Sequence, residues 1–71
     1  MTRKYKRGYV EKGFNNGFVA VITRVTQTND FGKWEDEDED EINRFGDYTT
    51  EEEAIKVLKE YFKCKEIIKE L

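Results

Sequence analysis

Seven consecutive carboxylates, Glu35, Asp36, Glu37, Asp38, Glu39, Asp40 and Glu41, sit near the middle of a chain of 71 residues. Like charges at that density repel one another and resist burial, so the run cannot belong to a regular buried element. It predicts a solvated acidic loop at residues 35–41, or a surface on which something cationic is held. The rest of the fold has to be built on either side of it.

The charge is polarised along the chain. Arg3, Lys4, Lys6, Arg7 and Lys12 against Glu11 make residues 1–12 net +4, whereas residues 30–53 hold twelve acids against Lys33 and Arg44, and the whole chain carries −3. A chain of this length has room for one domain, residues 1–71, with a modest core, and buries only about 60% of its unfolded surface. No apolar stretch of signal-peptide length follows the basic start, and no apolar run approaches the roughly 20 residues of a membrane span. The reading is cytosolic, with no membrane partner. Cys64 is the only cysteine, which excludes an internal disulfide and suits a reducing compartment. Histidine, serine and proline are absent, which removes the usual general base, the serine nucleophile and the usual nitrogen ligand for zinc. The composition thus predicts no enzyme and no cofactor.

Alternation marks the strands. Tyr5, Arg7 and Tyr9 alternate with Lys4, Lys6, Gly8 and Val10 in a basic arm or first strand over residues 1–12. Residues 18–28 are rich in β-branched side chains and read as the central strand, entered through Asn15-Asn16-Gly17, whose residues tolerate positive φ in a tight hairpin. Asn29-Asp30-Phe31-Gly32 closes that strand, and a short third strand is predicted over residues 42–45.

A helix start follows. In Thr49-Thr50-Glu51-Glu52-Glu53, Thr50 can cap the first turn while Glu53 returns the bond, and the glutamates suit the positive helix end. Ala54, Val57, Tyr61, Cys64, Ile68 and Leu71 then recur at steps of three and four, widened by Ile55, Leu58 and Phe62, which predicts one amphipathic helix over 50–70. The fold expectation is α+β: a three-stranded antiparallel sheet packed against one C-terminal amphipathic helix, with Phe18, Ala20, Ile22, Ile42, Ala54, Leu58, Tyr61 and Phe62 in the core.

The stretches Gly17-Phe18-Val19-Ala20-Val21-Ile22-Thr23-Arg24 and Arg44-Phe45-Gly46-Asp47-Tyr48-Thr49-Thr50-Glu51-Glu52-Glu53-Ala54 resemble the DNA-binding domain shared by plant ethylene-response factors and the N-terminal arm-binding domains of phage integrases. That resemblance spans residues 5–65 and implies a sheet whose outer face lies in the major groove. It turns Phe18, Ala20 and Ile22 toward the helix, and Val19, Val21, Thr23 and Val25 outward. The alternative reading is a small DNA-binding domain or regulator that uses the sheet and the basic N-terminal arm, with Arg3, Lys4, Tyr5, Lys6, Arg7, Tyr9 and Arg24 as its nucleic-acid-binding set. Outward valines, however, give no bidentate partner to base edges, and the acid run repels phosphates within about 10 Å at 0.1 M salt.

A protein partner fits the charges better. Phe31 and Trp34 beside residues 35–41 join apolar anchors to an electrostatic steering surface, and Val19 and Val21 add an apolar patch if nothing covers them. The expected partner is a basic protein surface, such as that of a nucleic-acid enzyme, and the expected state is a monomer or a homodimer through Val19, Val21 and Val25. In kind, such a domain resembles the small inhibitors that phages and mobile elements make against host nucleic-acid enzymes, anti-CRISPR proteins among them. A metal site is not expected: Asp36, Asp38 and Asp40 alternate as calcium-loop ligands do, but Glu41 stands where the turn needs glycine and Asp47 where a bidentate glutamate belongs.

Overall fold

Two tight turns of one type set the sheet. In the computed structural model, which describes residues 1–70, the Gly17 N–H donates to the Phe14 carbonyl at 3.1 Å while Asn15 and Asn16 take φ of 57° and 60°. Phe31 and Gly32 repeat the pattern with φ of 60° and 81°. Both are primed turns, whose twist matches that of the strands they join. They connect β1 (Thr2–Lys12), β2 (Phe18–Asp30) and β3 (Lys33–Tyr48) into an antiparallel meander.

The three-stranded expectation is corrected by a fourth strand. β4 (Glu66–Glu70) pairs parallel to β1, so the sheet is mixed, in the order β3-β2-β1-β4. The expected helix over 50–70 accordingly ends early: α1 (Glu51–Lys56) runs into a wider turn over Val57–Tyr61, closed by the Phe62 N–H on the Val57 carbonyl at 3.1 Å. Lys63 then turns left-handed at φ 54°, which stops the helix, and the Lys65 N–H joins the sheet through the Lys6 carbonyl. Ile67 and Ile68 fit a helical stripe and a strand equally well, and β-branched residues prefer the strand once an open edge of β1 is available. Leu71 of the expected stripe lies outside the described residues.

The helix entrance forms as its residues suggest, with one exchange. The Glu53 N–H donates to Thr50 Oγ1 at 3.2 Å, but the Glu53 carboxylate takes the Thr49 hydroxyl. α1 lies across Gly8, Val10, Ala20 and Ile22, and Val10, Ala20, Ile22, Ala54 and Leu58 form a fully buried core. Phe18, Phe45, Tyr48, Ile55, Phe62, Cys64 and Ile67 pack around it. Gly8 is what lets the helix come so close: a Cβ there would sit 2.9 Å from Leu58 Cδ1.

Two expected core residues are outside. Ile42 is 39% exposed because it is the extra residue of a bulge: Ile22 pairs with Asn43 and Thr23 with Glu41, leaving Ile42 opposite nothing. Tyr61 is 78% exposed at the end of the widened turn. The third strand, expected over 42–45, extends over all of Lys33–Tyr48. The helix covers only one end of the sheet, so the other end projects and the molecule measures 45 × 20 × 17 Å.

Candidate functional site: an acidic edge strand and its arginine anchor

Residues 35–41 are not a loop. They lie within β3, an outer strand of the sheet, and every residue of the run is exposed. A strand can hold consecutive carboxylates because successive side chains point to opposite faces, and an outer strand keeps them in water.

Register sorts the acids into two groups. Asp36, Glu39 and Glu41 pair with Gln27, Val25 and Thr23, on the face turned away from the helix. Glu35, Asp38 and Asp40 pair with Thr28, Thr26 and Arg24, on the helix side. Glu37 is the extra residue of a second bulge, between the Thr26–Asp38 and Gln27–Asp36 pairs. All three acids of the first group are ion-paired: Asp36 and Glu39 with Arg7, both at 3.1 Å, and Glu41 with Arg44 at 2.9 Å. Glu35, Glu37, Asp38 and Asp40 have no ion pair among the described residues.

Arg7 is the centre of the first group. It is 8% exposed and points to the face opposite the helix, beside Thr23 on β2. Its guanidinium reaches Asp36 and Glu39 from β3 and Glu66 from β4, the last at 2.5 Å through Nε. Tyr5 donates its hydroxyl to Glu66 at 2.8 Å and accepts from Arg7 Nη2, while Tyr9 and Thr23 donate to Glu39. Gln27 donates to Asp36 at 2.6 Å and accepts from Arg3 Nε, whose guanidinium lies 4.2 Å over the Trp34 ring. The planar five-donor fork of arginine is what allows one side chain to hold carboxylates from two strands.

That network roofs the second face of the central strand. Val21 and Val25, flanked in register by Tyr9 and Arg44 and by Tyr5 and Glu39, are 2% and 0% exposed, and Val19 is half-buried. The apolar patch expected at Val19, Val21 and Val25 is therefore closed by long polar side chains lying across it. No buried side-chain nitrogen or oxygen among the described residues lacks a partner.

The set implied for nucleic acid is divided. Arg3, Tyr5, Arg7 and Tyr9 are held in the network, with Trp34 beneath Arg3. Lys4, Lys6 and Arg24 are exposed on the helix side, where Arg24 and Asp40 share a register position. Phe31 stands fully exposed at the β2–β3 turn. Trp34 and Phe31, expected as a pair of anchors, are thus unlike: one is packed under a cation and the other projects. Sequence reasoning missed Glu66 and Thr23 as partners of Arg7 and its tyrosines. The available signal was Tyr5-Arg7-Tyr9 on one face of a strand, since a cation there needs an anion opposite it.

No family model, curated protein or solved structure matches the chain. The three-stranded sheet expected from the sequence is replaced by the four-stranded mixed sheet. Among the described residues no group of three or more acid, cysteine or histidine side chains is placed to hold a metal ion, and the one centre where three carboxylates meet is filled by Arg7. No described helix is long and apolar enough to cross a membrane.

The network makes stability sensitive to acid. Asp36 is held below the ordinary carboxylate range by its bonds from Gln27 and Arg7, and Glu66 by those from Tyr5 and Arg7. Burial alone would raise Glu39, but the hydroxyls of Tyr9 and Thr23 and the Arg7 charge outweigh it and lower it too. Depressed carboxylates stabilise the fold above their unfolded values of about 4, and that contribution is lost as pH falls through the folded values. Urea midpoints should therefore hold steady from about pH 8 to pH 5 and drop below about pH 4. A midpoint that rises on acidification would contradict the network's role.

Proposed function

We propose that the chain is a non-enzymatic binding module that presents β3 as an acidic ridge to a cationic surface of another protein, one that otherwise holds nucleic acid. The observation that carries this reading is the placement of residues 35–41 in an outer strand. A β-strand advances about 3.4 Å per residue, and one strand of duplex DNA carries a phosphate per about 3.4 Å of axis. One carboxylate per residue matches that spacing, and with Asp36, Glu39 and Glu41 ion-paired the four that remain, Glu35, Glu37, Asp38 and Asp40, leave an excess of negative charge along the strand. Such a ridge would be steered to a cationic groove, with an on-rate that falls as salt rises. An inhibitor of a nucleic-acid enzyme, of the kind phages and mobile elements make, is the finer form of this reading.

Phe31 supports a contact at the ridge's end. A bulky residue at φ 60° is strained, and an aromatic ring in water gains nothing from the fold. Asparagine is the residue this turn prefers before glycine, so Phe31→Asn should stabilise the protein by about 1 kcal/mol while weakening partner binding. Thermal melts and binding assays on the same variant check both signs. A loss of stability would mean that the ring contributes to the fold.

The acids to neutralise are those with no ion pair. Glu35→Gln, Glu37→Gln, Asp38→Asn and Asp40→Asn together should leave the melting curve close to wild type, because solvated surface charges contribute little. Proteins captured from lysate by the wild type should be displaced by added duplex DNA and should not be captured by the fourfold variant. Gel shifts are the decisive control: micromolar or tighter binding of the wild type itself to duplex DNA at physiological salt would overturn the proposal.

A further inference from the structure

We infer that the open edge of β3 takes up an extended, lysine- or arginine-rich segment of the partner as a fifth strand, with one apolar side chain of that segment seated between β3 and the helix. This inference rests on the acidic-ridge reading and specifies how the ridge is engaged. Three independent features of β3 point the same way.

The first is the edge itself. β3 runs for 16 residues at the end of the strand order, with β2 on one side and, among the described residues, no strand on the other. An unpaired edge is a template for another strand. Two β3 amides, those of Glu39 and Arg44, donate to the side chains of the residues before them, Asp38 and Asn43, as amides do where no neighbouring strand supplies a carbonyl.

The second is a groove on the helix side of the same strand. It is lined by Asn43, Phe45 and Tyr48 of β3 and by Val57, Tyr61 and Phe62 across from them, with a volume of about 520 Å³. Phe45 and Phe62 stack at 5.0 Å along its floor, and Tyr61 forms an exposed wall. Because the helix sits over β1 and β2, this space lies above β3, where a strand added to the edge would direct its helix-side residues.

Charge chooses the occupant. Pairing β3 with a second copy of itself would set carboxylates against carboxylates, which is destabilising across strands. A strand with lysine or arginine at alternate positions would instead face Glu35, Asp38 and Asp40, the helix-side acids that have no ion pair among the described residues. Further along, its next helix-side residue would reach the groove.

The test uses peptides of equal charge. The parent alternates lysine with threonine and ends in leucine at a lysine-side position; two counterparts carry backbone N-methyl groups in one or the other alternating frame; a fourth replaces leucine with alanine. Binding is read by fluorescence anisotropy at physiological ionic strength, and by amide shifts of the labelled protein. Strand addition predicts that one N-methyl frame loses affinity about tenfold or more, each lost main-chain bond being worth about 1 kcal/mol, while the other frame binds as the parent does. Leucine to alanine should also weaken binding about tenfold, and Tyr61→Ser, at an exposed wall, should shrink that difference.

Equal binding by all four peptides would overturn strand addition and leave the acidic ridge standing. Failure of every peptide to bind would overturn both. A stable dimer of the protein alone, with protected β3 amides, would assign the edge to a second copy and overturn the inference as well.

Discussion

Replacing Arg7 with alanine should cost about 3 kcal/mol, the lower end of what breaking a buried ion pair costs, because Asp36 and Glu66 keep nearly half of their side chains in water. The loss comes chiefly from what is left behind. Asp36, Glu39 and Glu66 would face one another across the sheet with no cation between them, and the Tyr5 hydroxyl would lose the bond it accepts from Arg7 Nη2. Arg7→Lys should recover only part of the deficit, since a single ammonium cannot reach both strands at once. The pH dependence separates this account from simple loss of packing. Protonating the three carboxylates removes their repulsion, so the gap between variant and wild type should narrow below about pH 4. A gap of constant size, measured by urea unfolding at several pH values, would mean that the arginine acts through its methylene stem alone.

Leu58→Ala should cost about 2–5 kcal/mol, the range for a buried leucine whose surroundings cannot fully collapse. Leu58 is fully buried in the helical layer over the sheet, and its two methyl groups lie over the bare backbone of Gly8. That juxtaposition permits a stringent cycle. Gly8→Ala in the wild type forces a methyl to within 2.9 Å of Leu58 Cδ1 and should destabilise. In the Leu58→Ala background the same methyl enters the vacated space and should be nearly neutral or favourable, so the two changes couple. Additive effects, or a Leu58→Ala cost within about 0.5 kcal/mol, would place Leu58 outside the core.

Local chemistry was legible in the sequence where it acts locally. Asn15-Asn16 marks a turn because it tolerates positive φ, Thr50 caps because its hydroxyl reaches Glu53, and Ala20, Ile22, Ala54 and Leu58 follow from alternation and helical spacing. What could not be read depended on partners far along the chain. The acid run looked too repulsive for regular structure, yet three of its members are neutralised by Arg7 and Arg44 and the rest face water from an outer strand. Ile42 looked like core because bulges are invisible to a pattern that assumes unbroken alternation. β4 looked like helix because Ile67-Ile68 among charges satisfies either period, and only the free side of β1 decides between them. Arg7 looked like a phosphate contact for the same reason: its acids come from strands 29 to 59 residues away.

That separation also orders events in time. β1, β2 and β3 are joined by tight turns, so each pairing closes a short loop, whereas β4 reaches β1 only after the helix has crossed the sheet. Loop-closure entropy grows with the length closed, and contacts between distant segments form late. The meander, with Asp36 and Glu39 already at Arg7, can therefore assemble before Glu66 arrives to complete the cage. On that route the carboxylate ridge is in place while the opposite border of the sheet is still bare, and the C-terminal strand acts as the latch that ends folding.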